Sequence, residues 1–113
     1  MASRPGRDAI PQGTLDMLIL QTLQSSKEMH GFEIASYIQE HTENVLQVEE
    51  GSLYPALQRM LLQGWITGEW GRTDGNRRAR YYRLTASGRK QLEREVSQYR
   101  RVSQAIGRIL QPA

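Results

Sequence analysis

Ser52, Tyr54, Pro55, Gln58 and Arg59 fall on one side of a helical wheel, and their side chains are unusual for a face turned to water. A merely solubilising face carries Glu and Lys. A phenol, an amide and a guanidinium are groups that address base edges and phosphates. A second cluster follows in Gly71-Arg-Thr-Asp-Gly-Asn-Arg-Arg78, where Arg72, Arg77 and Arg78 stand beside Asn76. Glycines and arginines on an exposed turn suit insertion along a minor groove or against phosphates. The plainer readings are a solvated polar face for the first cluster and, for the second, a charged tip that blocks edge-to-edge strand pairing.

The first cluster needs a short helix to hold it. Ser52 is the expected N-cap, Pro55 falls in the first turn where its missing amide costs nothing, and Gly64 supplies a left-handed stop. Leu53, Leu57, Met60 and Leu61 then form the apolar side. The second cluster needs a hairpin. Trp65 to Trp70 and Arg78 to Leu84 read as strands around Asp74-Gly75, a strong tight-turn signal. A two-residue loop there sets Trp65 opposite Leu84, Thr67 opposite Tyr82 and Glu69 opposite Arg80, the last a cross-strand charge pair.

Upstream, Met1 to Gln12 lacks periodicity and reads as a flexible arm. A helix from Thr14, its expected cap, to Leu23 is apolar on nearly every side. Such a helix must be covered all round, and a small domain leaves one side for a second subunit. Gly31 opens a second helix, Phe32 to His41, with Phe32, Ala35 and Ile38 as its buried stripe and Ile34 and Tyr37 at the margins. Two short helices before a polar-faced third have helix-turn-helix spacing, and the hairpin after them is a wing.

Thr85 caps a last helix reaching Leu110, in which Leu92, Val96, Tyr99, Ser103, Ile106 and Leu110 form a heptad seam widened by Val102 and Ile109. The economical partner is a copy of the same helix, with Leu15 and Leu18 of the other subunit's first helix; the alternative is docking to another protein. The expected architecture is mainly α with a small β-hairpin, a winged helix-turn-helix followed by a long C-terminal dimerisation helix. Its parts are an arm over 1–12, a DNA-binding domain over 13–84 and the dimerisation helix over 85–113.

Composition narrows the functional classes. The chain has 113 residues and no cysteine, which excludes disulfides, a thiolate nucleophile and a cysteine-based zinc site. His30 and His41 lack ligand spacing, the serines lack a nucleophile-elbow context, and no Gly-Lys-Ser/Thr follows the glycines of the hairpin. No enzyme, metal or cofactor is expected. Met17-Leu-Ile-Leu20, the longest aliphatic run, is far too short to span a bilayer, so the expected setting is the cytoplasm. Net charge is only +3, yet Glu28 to Glu50 holds six glutamates and no Lys or Arg, whereas Trp70 to Lys90 holds six arginines and a lysine against Asp74. Charge so concentrated on one segment suits a nucleic-acid binder, and the plainer reading is a solvated charge run.

The same residues closely resemble the PadR family of bacterial transcriptional regulators. The resemblance rests on His30-Gly-Phe-Glu-Ile34, Gly51-Ser-Leu-Tyr-Pro-Ala-Leu57, Gly64-Trp-Ile66 and Arg78-Ala-Arg-Tyr-Tyr-Arg-Leu-Thr85 with Gly88, in order across Thr14 to Leu92. It implies a homodimeric repressor on a palindromic operator in double-stranded DNA. Tyr54, Gln58 and Arg59 would lie in or beside the major groove, with Ser52 a DNA-binding candidate on the same helix face, and the wing residues Arg72, Asn76, Arg77 and Arg78 would reach the flanking groove. The single last helix resembles the short branch, some members of which bind flat aromatic drugs between subunits through a tryptophan there; this chain has none after Trp70, and Tyr99 is the only aromatic in that helix. A small aromatic effector would meet Leu15, Leu18, Ile19, Val96, Tyr99 and Ser103. The alternative is a winged helix used only for protein contacts, which would predict an acidic or apolar third-helix face and a neutral wing.

Overall fold

The computed structural model describes residues 8–11 and 13–111. The chain order is β1 (Asp8–Ala9), α1 (Thr14–Ser25), β2 (Met29–His30), α2 (Gly31–His41), β3 (Leu46–Gln47), α3 (Glu50–Gln63), β4 (Ile66–Arg72), β5 (Arg78–Leu84) and α4 (Ala86–Leu110). Strands β4 and β5 pair antiparallel, and β2 adds to the free edge of β5 through Met29–Tyr82 and His30–Tyr81. This is a winged helix with an extended last helix.

The core forms where α1, α2 and α3 converge on the base of the hairpin. Ile19, Leu20, Ile34, Leu53, Leu57, Met60 and Ile66 are all essentially inaccessible to water. Burying a side chain of this size stabilises the fold by about 1.5–3 kcal/mol. Helix α1 is covered within its own chain: Leu15 is 7% exposed, Ile19 and Leu20 0% and Leu23 2%, with Leu18 half-buried. The expectation that α1 needs a second subunit is therefore corrected, and little of Leu15 remains for one. The sheet and α4 supply the cover that a count of helices alone misses.

Local chemistry corrects several helix boundaries. Gly13, at φ 90°, precedes α1 where Thr14 was the expected cap, because the chain turns in through a left-handed residue. Helix α2 starts from a reciprocal cap: the Glu33 amide donates to His30 Nδ1 at 3.4 Å and the His30 amide to Glu33 Oε1 at 3.1 Å. Its inward residues are Ile34 and Ile38, whereas Phe32 is 73% exposed. Helix α3 begins at Glu50 rather than after Ser52, since the Glu49 carbonyl already accepts from the Ser52 and Leu53 amides at 3.0 and 2.9 Å. Pro55 consequently lies inside the helix. The carbonyl it deprives of a partner belongs to exposed Gly51, four residues earlier. Gly64, at φ 77°, ends α3 as expected.

The hairpin register differs by one residue from the two-residue-loop expectation: Ile66 faces Leu84, Thr67 faces Arg83 and Trp70 faces Arg80. The Asn76 amide donates to the Thr73 carbonyl at 2.9 Å and the Thr73 amide to Arg77 at 2.9 Å, closing a three-residue loop. Asn76 takes the left-handed position at φ 59°, so Asp74-Gly75 occupies the middle of an ordinary turn. Glu69 thus faces Tyr81, and the expected Glu69–Arg80 pair does not form. At the N-terminus, β1 pairs parallel with β3 and Ile10 packs on the core, so the inner end of the expected arm is anchored. Residues 1–7 and Gln12 of that arm lie outside the described residues.

Helix α4 is capped as expected, with the Gly88 amide donating to Thr85 Oγ1 at 3.0 Å. A Cβ on Gly88 would lie 2.1 Å from the Trp65 carbonyl oxygen, so only glycine lets α4 approach the start of β4. Gly88→Ala should destabilise the fold by about 1–3 kcal/mol. Gly51→Ala, where a Cβ meets nothing within 4 Å, should change it by less than about 1 kcal/mol. Urea unfolding midpoints compare the two, and equal midpoints would refute the close-approach argument. Asn76→Val should cost about 1–2 kcal/mol through its left-handed backbone. Asn76→Gly should match or exceed the parent in thermal unfolding; a loss as large as that of Val would assign the cost to the amide side chain instead.

Candidate nucleic-acid interface

Helix α3 turns Leu53, Ala56, Leu57 and Met60 inward, which leaves Ser52, Tyr54, Pro55, Gln58 and Arg59 exposed on the other side, as their spacing predicts. The hairpin stands beside that face. Between them lies an open cleft of about 810 Å³. It is lined from α3 by Tyr54 and Gln58, from α2 by Gly31 and Phe32, and from the hairpin by Trp70, Arg77, Arg78 and Arg80, among others. None of its lining residues is an aspartate or glutamate.

Packing sets the direction of several of these groups. Tyr54 lies across the start of α2, where a Cβ on Gly31 would come within 2.8 Å of its hydroxyl. Gly31 therefore holds Tyr54 between α2 and the cleft, which ties the His30-Gly-Phe-Glu motif to the Leu-Tyr-Pro motif. On the hairpin, Trp70 is 60% exposed and the Arg78 guanidinium sits 4.3 Å from its ring centroid. At the floor, Tyr82 is 5% exposed. Burial raises its phenol pKa above the ordinary value, an effect that Arg80 offsets and Tyr54 reinforces. Tyr82 thus stays a neutral hydroxyl across the physiological range.

The expected site residues divide into three groups. Tyr54, Gln58, Arg77 and Arg78 share the cleft. Ser52 stands exposed on α3 outside it, and Arg59 reaches the other way, its Nη2 2.8 Å from Asp16 Oδ1 on α1. Arg72 and Asn76 build the hairpin tip, with Arg72 Nη1 donating to the Asn76 carbonyl at 3.2 Å and the Tyr81 hydroxyl to the Arg72 carbonyl at 3.1 Å. The sequence reading missed Trp70, Arg80, Phe32 and His30 as neighbours of the cleft. The shifted register hid Trp70 and Arg80, because the expected pairing gave Arg80 to Glu69.

What this arrangement offers is polar readout from a helix and cationic groups from a hairpin, on one face. Among the described residues no cluster of His, Asp and Glu could hold a metal ion, and no helix is long and apolar enough to cross a membrane.

Comparison with known proteins agrees with the fold. A transcriptional regulator from Clostridium thermocellum superposes with a TM-score of 0.81 at 26% identity, covering 88% of this chain and 96% of that one. A PadR family transcription regulator from Clostridium difficile superposes at 0.74 with 30% identity, covering 88% and 100%. Bacillus subtilis PadR, solved in complex with operator DNA, gives 0.66 at 26% identity, over 77% of this chain and 48% of that one. An uncharacterized protein of Lysinibacillus sphaericus is 31% identical over 100 residues, 88% of this chain and 91% of the relative. The model of the transcriptional regulator PadR-like family matches residues 19–94, and the chain belongs to that family.

Proposed function

We propose that this regulator is a sequence-specific repressor that binds a palindromic operator in double-stranded DNA as a homodimer, in the cytoplasm and without a catalytic step. The observation that carries the reading is the acid-free cleft in which Gln58 and Tyr54 on α3 meet the hairpin arginines. Operator DNA bound to a structural relative supports it. In this reading α3 enters the major groove. Gln58 reads a base edge, Ser52 and Tyr54 position the helix on phosphates, and Arg59 must leave Asp16 to take part. Arg72, Asn76, Arg77 and Arg78 serve the flanking backbone or minor groove.

Support for the homodimer comes from α4. Leu92 is 3% exposed and Val96 packs partly on the core, but beyond them Tyr99, Val102 and Ile106 are each about half exposed, and Ile109 and Leu110 are 84% and 76% exposed. One continuous stripe of that kind is covered most economically by its own copy. A small aromatic effector would act at this interface, against Leu18, Val96, Tyr99 and Ser103, with buried Leu15 and Ile19 as backing. By changing the separation of the two α3 helices it would break simultaneous docking on half-sites about 34–36 Å apart. It can shift that balance only by its differential affinity for the two spacings.

Two experiments test this reading. Sedimentation of the parent chain at micromolar concentration should give a dimer, and Val96→Glu with Ile106→Glu a monomer or an unfolded chain, because a seam cannot bury unpaired charge. A stable parent monomer would remove the argument. In DNA binding, Gln58→Ala should relax base preference at a cost of about 1–3 kcal/mol. Alanine at Arg72, Arg77 or Arg78 should instead weaken all sequences alike and reduce the salt slope by about 1 each. Equal losses on operator and random DNA for Gln58→Ala would sink Gln58 as a reader.

A further inference from the structure

We propose that Trp70, Arg78 and Arg80 form a seat for one backbone phosphate of duplex DNA on the hairpin side of the cleft, with Trp70 as the positioning residue. The proposal rests on the DNA-binding reading above and adds Arg80 to the contacts. The β4–β5 register sets Trp70 opposite Arg80, with Arg78 two residues along β5 on the same face. Their guanidiniums lie 4.3 and 5.9 Å from the one indole ring, so the two like charges share a single aromatic support.

The room for Arg80 is built in. A Cβ on Gly68 would lie 2.7 Å from Arg80 Nε and 3.3 Å from its Cδ and Cζ, so the side chain lies over the bare glycine. Arg80 Nε is buried there with no hydrogen-bond partner. Among the described residues neither Arg78 nor Arg80 pairs with a carboxylate, although Arg59 and Arg83 do. Two guanidiniums held together beside an acid-free cleft lack only a counter-charge. A bidentate oxyanion supplies it, and the open cleft beside Gln58 and Tyr54 gives a DNA strand access.

The test is the salt dependence of binding to labelled random duplex, read by fluorescence anisotropy, with circular dichroism melting as a check on folding. Each phosphate contact contributes about 0.9 to the slope of log K against log salt. Arg80→Gln should lower the slope by about 1. Trp70→Leu should lower it by about 1, because the one phosphate loses both supported arginines, and Trp70→Phe should restore it. A merely structural role would lower the melting temperature and leave the slope unchanged. Parent-like slopes in folded Arg80→Gln and Trp70→Leu would overturn the seat while leaving DNA binding intact. Absence of salt-dependent binding by the parent chain would instead overturn the DNA-binding reading itself. Trp70 emission, isolated by subtracting the Trp70→Phe signal, should shift with duplex. A shift with inorganic phosphate but not with duplex would also overturn the proposal.

Discussion

The contact between α4 and the start of the hairpin holds the other parts in place. The Thr85 amide donates to the Trp65 carbonyl at 3.0 Å, Thr85 Oγ1 lies 2.7 Å from the Gly64 carbonyl, and Gly88 fits beneath the Trp65 backbone. Three elements meet there: the left-handed end of α3, the first residues of β4 and the cap of α4. The junction thereby fixes where the hairpin stands relative to α3, and with it the walls of the cleft between them. The motifs Gly64-Trp-Ile66 and Leu84-Thr-Ala-Ser-Gly88 are thus two halves of one contact, made by residues that never touch DNA in the proposed complex. Neither half has an obvious role by itself.

Charge is sorted by the same packing. The two arginine–carboxylate pairs among the described residues are long-range: Arg59 to Asp16 at 2.8 Å and Arg83 to Glu28 at 3.1 Å. Both are partly exposed, and such pairs contribute only about 0–1 kcal/mol to stability. Their larger effect is selective. They neutralise two cations away from the cleft and leave Arg77, Arg78 and Arg80 facing it. The net charge of +3 hides this division, because the glutamates of Glu28 to Glu50 are separated in sequence from the arginines of the hairpin.

Helix α4 joins two roles at different points along its length. Its first turns, with Gly88 and Leu92, are buried and belong to the winged helix. From Tyr99 onward the apolar side is open. At its other end the helix is tied to the start of the hairpin through the Thr85 junction. The covering of α1 by its own chain matters here, because it leaves α4 as the main source of unsatisfied apolar surface.

Periodicity and end signals were legible without coordinates. The number and order of the main helices, the stop at Gly64, the cap at Thr85, the buried and exposed sides of α3 and the hairpin itself all follow from local sequence. Each depends on residues a few positions apart, and backbone stereochemistry acts over that range. What remained hidden depended on distant partners. Phe32 fits a helical stripe as well as Ile34 does; only the position of α1 and α3 decides that Ile34 goes inward. Asp74-Gly75 suits a two-residue turn, but Asn76 can also adopt a left-handed backbone, and pairing along the whole hairpin selects the longer loop. That one-residue difference changed every cross-strand partner and brought Arg80 to Trp70 rather than Glu69. Sequence alone therefore determined which residues stand on the polar side of α3 and at the hairpin tip, while tertiary packing decided which of them share a surface, because register and helix orientation are set by contacts between segments far apart in the chain.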